Sequence, residues 1–401
     1  MTLDAMVAAT PASRDRYADF LRAGSIVVVV LGHWLIAIIS WDGGVIRVTS
    51  ALGLGSGLWL ATWMFQVMPV FFFVGGFSNY VGYEAARRRG QPALGFVRDR
   101  ARRLLAPSLA FLGVWAVAQV VLHITGTGAP TAPRLGGEVT LLRGVRPPGQ
   151  TVPFGPLWFL GVYLMVVALS PLTIALHRRL RWWVPATLVA GAVACDTLGF
   201  IGGLRGLRYL NVAFVLLLPH QLGHFYGDGS VARWPRAAPL AMMATGLGLL
   251  VLLTNPWLFS LAGDRRFEWF PGIGHYPRSL LGTDAEQVSN AYPPTLCFLV
   301  AGVWIIGLAL ALRAPLRRWL DRPGPWRATI VVNASIMTLF LWHMTAYLLV
   351  ILALWPAGLG REVEPTLRWW LERAVWVGGP AAVLVGLVTL FRRFEAAGHR
   401  R

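Results

Sequence analysis

The sequence predicts an all-α protein that crosses a membrane about ten times. Three observations predict it. The composition is one: 56% of the 401 residues are hydrophobic and only 13% are charged, where a soluble domain carries roughly a quarter charged residues. The apolar residues also gather into runs close to the roughly 20 residues that a helix needs to cross the hydrocarbon core. Finally, the charge falls between those runs. The net charge is +18 and every one of the 36 basic residues is arginine, clustered as membrane-flanking loops are and without the interleaved aromatics of a nucleic-acid surface.

In chain order the apolar runs lie near 22–41, 58–81, 104–125, 154–176, 183–201, 208–227, 238–260, 294–312, 328–354 and 370–391. Gly and Pro inside several of them are tolerated in membrane helices. With a cytoplasmic N-terminus, the segments 1–22, 82–103, 177–182, 228–237, 313–327 and 392–401 hold 24 arginines and the opposite side holds 12. That twofold bias is the direction the positive-inside rule requires, so both termini are expected in the cytoplasm of a multi-pass plasma-membrane protein. The first 21 residues lack an apolar stretch of signal-peptide length. The lysine-free, Ala/Gly/Arg-rich usage suggests a bacterial source, and no internal repeat is visible, so residues 1–401 read as one membrane domain. Long external loops are expected at 126–153 and 261–293, the second with Trp269, Tyr276 and Tyr292; loops of this length are more often functional than idle. Cys195 and Cys297 lie in apolar stretches and imply no disulfide framework.

Ionisable groups inside spans cost several kcal/mol unless paired or hydrated, so each is a candidate for function. The first span carries Asp19, Arg22 and His33. Eleven residues make about three turns and roughly 16 Å of rise, so Arg22 and His33 share a face, and Asp19 is placed to pair with Arg22. Imidazole suits general-base chemistry near neutral pH; the plainer reading is an edge anchor and a buried hydrogen-bond partner. His220, His224 and Asp228 follow an i, i+4, i+8 stripe that fits a polar packing seam, a substrate-lining face or a metal site, although the Glu of a zinc-protease helix is missing. His343 is another mid-membrane imidazole, suited to lining a cavity or capping a neighbouring helix. Asp196 and Glu372 are expected at solvated outer ends of their spans. Pro69 is a potential kink in the second span, and Gly75-Gly76 permits close helix approach. Arg98, Arg100, Arg102 and Arg103 form a dense basic segment that fits anionic headgroups or the phosphates of a cytosolic donor.

These residues resemble the motifs of the acyltransferase-3 family of membrane acyltransferases. The Arg22-x10-His33 pair resembles its first-helix hallmark and Met68-Pro-Val-Phe-Phe-Phe-Val-Gly-Gly-Phe77 its second-helix motif. Arg100-x-x-Arg103 before Pro107 resembles its cytoplasmic arginine pair. Pro156-Leu-Trp158-Phe-Leu and Leu341-Trp-His343 resemble further elements. The order is the family's across nearly the whole chain, in the stand-alone type without an SGNH hydrolase-like domain. The resemblance implies an acyl-CoA donor, commonly acetyl, and a hydroxyl acceptor on a glycan, lipid, antibiotic or envelope polymer, with no permanently bound cofactor or metal. It further implies His33 as general base, Arg22 (with Asp19) orienting the site or stabilising donor charge, and Arg98, Arg100 and Arg103 holding donor phosphates; His343, Trp158, His220 and His224 are candidate substrate-lining residues. A transporter or flippase for a glycan-lipid or small solute explains the same spans, but lacks the inverted repeat many transporters show. A silent partner in envelope assembly is a further alternative.

Overall fold

The computed structural model describes residues 14–42, 45–54, 57–124, 152–254, 276–281 and 290–397, with 7, 10 and 11. Almost all of the 126–153 loop, and most of 261–293 including Trp269, lie outside the described residues. In chain order the helices are α1 (Arg16–Leu35), α2 (Trp59–Phe65), α3 (Met68–Arg88), α4 (Ala93–Ile124), α5 (Trp158–Leu180), α6 (Trp183–Phe200), α7 (Asn211–Gly227), α8 (Ala238–Thr254), α9 (Leu296–Ala311), α10 (Arg313–Leu320), α11 (Pro323–Asn333), α12 (Ile336–Leu354) and α13 (Leu367–Ala397). Two strands, β1 (Ala37–Asp42) and β2 (Val45–Ser50), follow α1.

The all-α polytopic class holds. Among the described residues seven helical segments are long and apolar enough to cross a membrane, or eight if α9 and α10, bent by 52° at their junction, form one broken span. Helices α7 and α8 fill the two remaining apolar runs, with only 17 residues each. Among the described residues, length and composition alone therefore support seven or eight of the ten spans expected.

The chain divides into two compact units. The first comprises residues 1–25, 56–91 and 169–333, and the second residues 26–55, 92–168 and 334–401. In the first unit α3 packs on α7 and α8 on α9. Glycines set both approaches: a Cβ on Gly76 of α3 would stand 1.9 Å from the His220 carbonyl oxygen of α7, and one on Gly246 of α8 would stand 2.4 Å from the Trp304 amide nitrogen of α9. In lipid no hydrophobic effect drives helices together, so small residues that let backbones meet do this work. Phe73, Val74, Leu222, Tyr226 and Ile306 fill the adjoining core. Pro69 sits in the first turn of α3, just after a break at Gln66–Val67. There its missing N–H removes no helical hydrogen bond, so it starts a helix instead of kinking one.

In the second unit α12 and α13 pack together, with α4 against both. The first span ends earlier than expected. Helix α1 stops at Leu35, and residues 37–42 pair with 45–50 as an antiparallel hairpin in the register Ala37↔Ser50 to Asp42↔Val45. Residues 36–41 were expected to continue the helix. Ile38 and Ile39 are β-branched, which suits a strand, and Ala37, Ile38 and Ile39 are buried. The expected 328–354 run is likewise interrupted, between Asn333 and Ile336.

Candidate active site

The second unit brings the two mid-membrane imidazoles together. Helix α12 buries Phe340, Leu341, Trp342 and His343 in succession. Nδ1 of His343 lies 2.6 Å from the carbonyl oxygen of Phe340. A carbonyl can only accept, so in the neutral ring Nδ1 carries the proton and Nε2 the lone pair. That Nε2 is 3.0 Å from Nδ1 of His33. His33 must then donate through Nδ1, which leaves its own Nε2 as a proton acceptor. This tautomer follows from the hydrogen-bond network, the usual basis for such assignments. The two rings are nearly parallel, 13° apart with centroids at 5.1 Å.

Neighbouring groups hold the pair in place. Trp34, next to His33 on α1, donates from Nε1 to the His343 carbonyl at 3.1 Å. Arg373 on α13 is buried and donates from Nη1 to the carbonyls of Ala37 (2.9 Å) and Trp34 (3.5 Å). The last carbonyls of a helix have no intrahelical donor, and a cation there also complements the helix dipole. Arg373 thus caps the end of α1 one turn beyond His33, while its guanidinium stacks 4.0 Å from the Trp369 ring. Aromatic rings flank His343, with the Phe340 ring 6.2 Å from its imidazole. Phe340 meets Phe159 edge-on at 5.5 Å, and Phe159 adjoins Trp158; Trp342 meets Phe111, which also packs on Phe154. Such an apolar setting strengthens hydrogen bonds formed within it.

Helix α4 presents the arginine cluster. Arg100 is half-buried with its guanidinium 5.6 Å from the Phe96 ring. Arg102 and Arg103 are exposed, and Arg98 pairs with Asp99 at 3.9 Å. Arg103 stands eight residues before Phe111, which is about 12 Å of helical rise from the layer where Phe111 touches Trp342.

In the first unit, Arg22 donates through Nη2 to Asp19 at 3.1 Å and through Nε to the Asn333 side chain at 2.6 Å. Asn333 donates back to the Asp19 carbonyl at 2.9 Å. The expected Asp19–Arg22 pair is present, fastened to the end of α11. Helix α1 runs unbroken through Arg22 and His33, so the eleven-residue spacing is kept as helix.

His220 and His224 also fall in the first unit, where with His177, Gln221 and Asn79 they make a fully buried polar seam. His177 Nε2 faces Asp228 at 3.1 Å and its Nδ1 faces Gln221 at 2.7 Å. The Gln221 oxygen meets His224 Nδ1 at 3.1 Å, and Asn79 meets His220 Nε2 at 3.2 Å. Asp228 lies past the end of α7, where burial pushes its pKa up. The Ser230 hydroxyl and amide, His177 and Arg181 outweigh that and hold its carboxyl below its ordinary value. Among the described residues no three His, Cys, Asp or Glu side chains are grouped to hold a metal.

Residues 15–392 match the acyltransferase-3 family, described as "Acyltransferase domain". The chain belongs to that family. No curated protein and no solved structure matches it. For an acyltransferase, the motif residues His33, His343 and Trp158 lie in one unit, and Arg22 with Asp19, His220 and His224 in the other.

Two carboxylates correct the sequence reading of this acyltransferase. Asp196 and Glu372, expected in solvent, are buried. Asp196 accepts from Asn211 and Tyr276, each at 2.8 Å, and from the Leu296 amide at 2.9 Å. Glu372 accepts from the Gly360 amide at 2.8 Å and from Arg368 at 2.9 Å. Buried charges persist when donors surround them in this way, and these two lock loops onto helix ends. Sequence reading missed Arg373 altogether. Its signal was present: an arginine beside Glu372 inside an apolar run is expensive in a membrane unless it has partners.

Proposed function

We propose that this acyltransferase moves an acyl group, acetyl in the simplest case, from cytosolic acyl-CoA to a hydroxyl of a glycan, lipid, envelope polymer or secondary metabolite. His33 is the general base. Its Nε2 takes the proton of the acceptor hydroxyl as that oxygen attacks the thioester carbonyl. The carbon–sulfur bond then breaks, the acyl group stays on the acceptor, and the departing CoA sulfur takes up the proton. The observation that carries this reading is the fixed tautomer of the His33–His343 pair, which leaves a lone pair on His33 Nε2. A general base contributes about 10²- to 10⁴-fold to such a step, and exclusion of water protects a thioester from hydrolysis.

The remaining residues take roles that this geometry supports. Arg103 and Arg100, on the helix whose later turns pack beside Trp342, receive the donor phosphates about 12 Å and about 16 Å of helical rise before Phe111. A pantetheine arm is long enough for either separation. Arg22, tied to Asp19 and Asn333, fixes the start of the helix that carries His33. Trp158 and its neighbour Phe159 form an apolar wall by Phe340. The arginine asymmetry supports a plasma-membrane protein with both termini in the cytoplasm, hence a cytosolic donor.

The test supplies membranes containing the protein with acetyl-CoA labelled in the acetyl group and identifies by mass which molecule gains the label. A labelled ester in envelope or small-molecule fractions is the expected result. Absence of label across a range of acyl chain lengths and acceptor fractions would remove the reading.

A further inference from the structure

A basic cavity lies in the first unit, apart from the residues given roles above. It has a volume of about 330 Å³ and is bordered by the 231–236 segment, Pro239 at the start of α8, and the junction of α9 with α10. Three arginines line it, Arg236, Arg313 and Arg317, together with Trp234, and no carboxylate does. None of the three makes an ion pair with a carboxylate among the described residues. Arg313 is the most constrained. Its guanidinium lies 4.8 Å from the centre of the Tyr226 ring, and Tyr226 is itself fixed by donating to Asp15 at 2.8 Å. The Arg313 Nε–H is buried without a hydrogen-bond acceptor.

A buried donor with no acceptor costs about 1–3 kcal/mol, and three guanidiniums around one cavity repel each other unless an anion joins them. Guanidinium forks match phosphate oxygens two at a time. We propose that this cavity binds a phosphate group, and that the phosphate is the headgroup of an anionic phospholipid. The 231–236 segment and the first turns of α10 lie in connections between the long apolar runs, and the arginine distribution assigns both connections to the same membrane face, which puts the cavity at headgroup level. Leu240 and Leu312, one residue from Pro239 and Arg313, are exposed and give acyl chains an apolar surface beside the charges. Basic pockets between membrane helices recognise anionic headgroups in this way.

The experiment uses the full-length protein purified in detergent. Native mass spectrometry counts the lipid retained after exchange into phosphatidylglycerol or phosphatidylcholine, for wild type, the Arg313→Gln/Arg317→Gln double variant, Arg236→Gln and Arg318→Gln. A parallel arm measures thermal stabilisation by inorganic phosphate without lipid. Wild type should retain one phosphatidylglycerol and no phosphatidylcholine. The double variant should bind it about thirtyfold more weakly, roughly fivefold per arginine, whereas Arg318→Gln, outside the cavity, behaves as wild type. Arg236 is exposed, so its variant keeps the test open should the double variant not fold; it should lose about fivefold. Phosphatidylglycerol retained equally by all variants overturns the proposal. Stabilisation by inorganic phosphate that depends on Arg313 and Arg317, with no lipid retained, overturns the lipid source and leaves a free phosphate ligand.

Discussion

Replacing His343 isolates what the imidazole pair contributes. In His343→Phe a ring of similar size keeps the packing against Phe340, and the Trp34 indole keeps its acceptor, because that bond goes to the backbone carbonyl of residue 343. What disappears is the acceptor 3.0 Å from His33 Nδ1. The net value of such a bond is about 1 kcal/mol, and a buried donor left unmet costs about 1–3 kcal/mol. His33 is then free to shift its proton to Nε2, the atom that must accept. At about 1.4 kcal/mol per tenfold in rate, kcat should fall roughly 5- to 150-fold. KM for the acyl donor should stay near wild type, because no donor contact is removed. His343→Gln, whose side-chain oxygen can accept from His33, should recover part of the loss. The assay is release of CoA thiol by purified protein with its acceptor, alongside a thermal melt to establish folding. A folded His343→Phe protein with wild-type kcat would refute the reasoning, and so would a loss confined to KM.

Three further outcomes follow from the packing and the charges. Gly76→Ala places a methyl group against the His220 carbonyl and should destabilise the protein by about 1–3 kcal/mol in thermal melts, while Gly378→Ala, with nothing within 4 Å of the added Cβ, should not; equal melts would contradict the close α3–α7 approach. Arg373→Ala uncaps α1 beyond His33 and should lower kcat and melting temperature together, with Arg373→Lys restoring stability better than rate; a normal kcat in a folded Arg373→Ala protein would sever this residue from the site. Asp228 has a depressed folded-state pKa, so its contribution to stability is present above the ordinary aspartate value and is lost as pH falls through the lower folded value. Wild type should therefore lose melting temperature below about pH 4 more steeply than Asp228→Asn, and parallel profiles would dismiss the linkage.

Periodic and local features of the chain were legible in the sequence. Apolar runs near helix-crossing length and arginine-rich connections give the class, and Asp19 with Arg22 is a pair that helical spacing alone predicts. The hairpin was hidden because Ala37–Trp41 is as apolar as the helix before it, so hydropathy does not register the change of period. The β-branched residues on either side of Gly43-Gly44 carried the turn signal. Partnerships between distant residues were not legible. His33 and His343 are 310 positions apart, and nothing local to either says which ring nitrogen the other will take. Asp196 and Glu372 were misread because a carboxylate near a span end looks solvated until the loops that bury it are in place. The glycines gave the reverse case: Gly75-Gly76 announced close packing, and Gly76 against His220 is where it occurs.

The central claim is that His33 Nε2 is the base for acyl transfer from acyl-CoA. The most direct measurement reconstitutes wild type and His33→Ala in vesicles, supplies acetyl-CoA and the acceptor-containing envelope extract, and follows CoA thiol release together with label in the product. The account predicts acceptor-dependent CoA release by wild type and a loss of about 10²- to 10⁴-fold in His33→Ala, with the variant still folded. Wild-type turnover by a folded His33→Ala protein would contradict it.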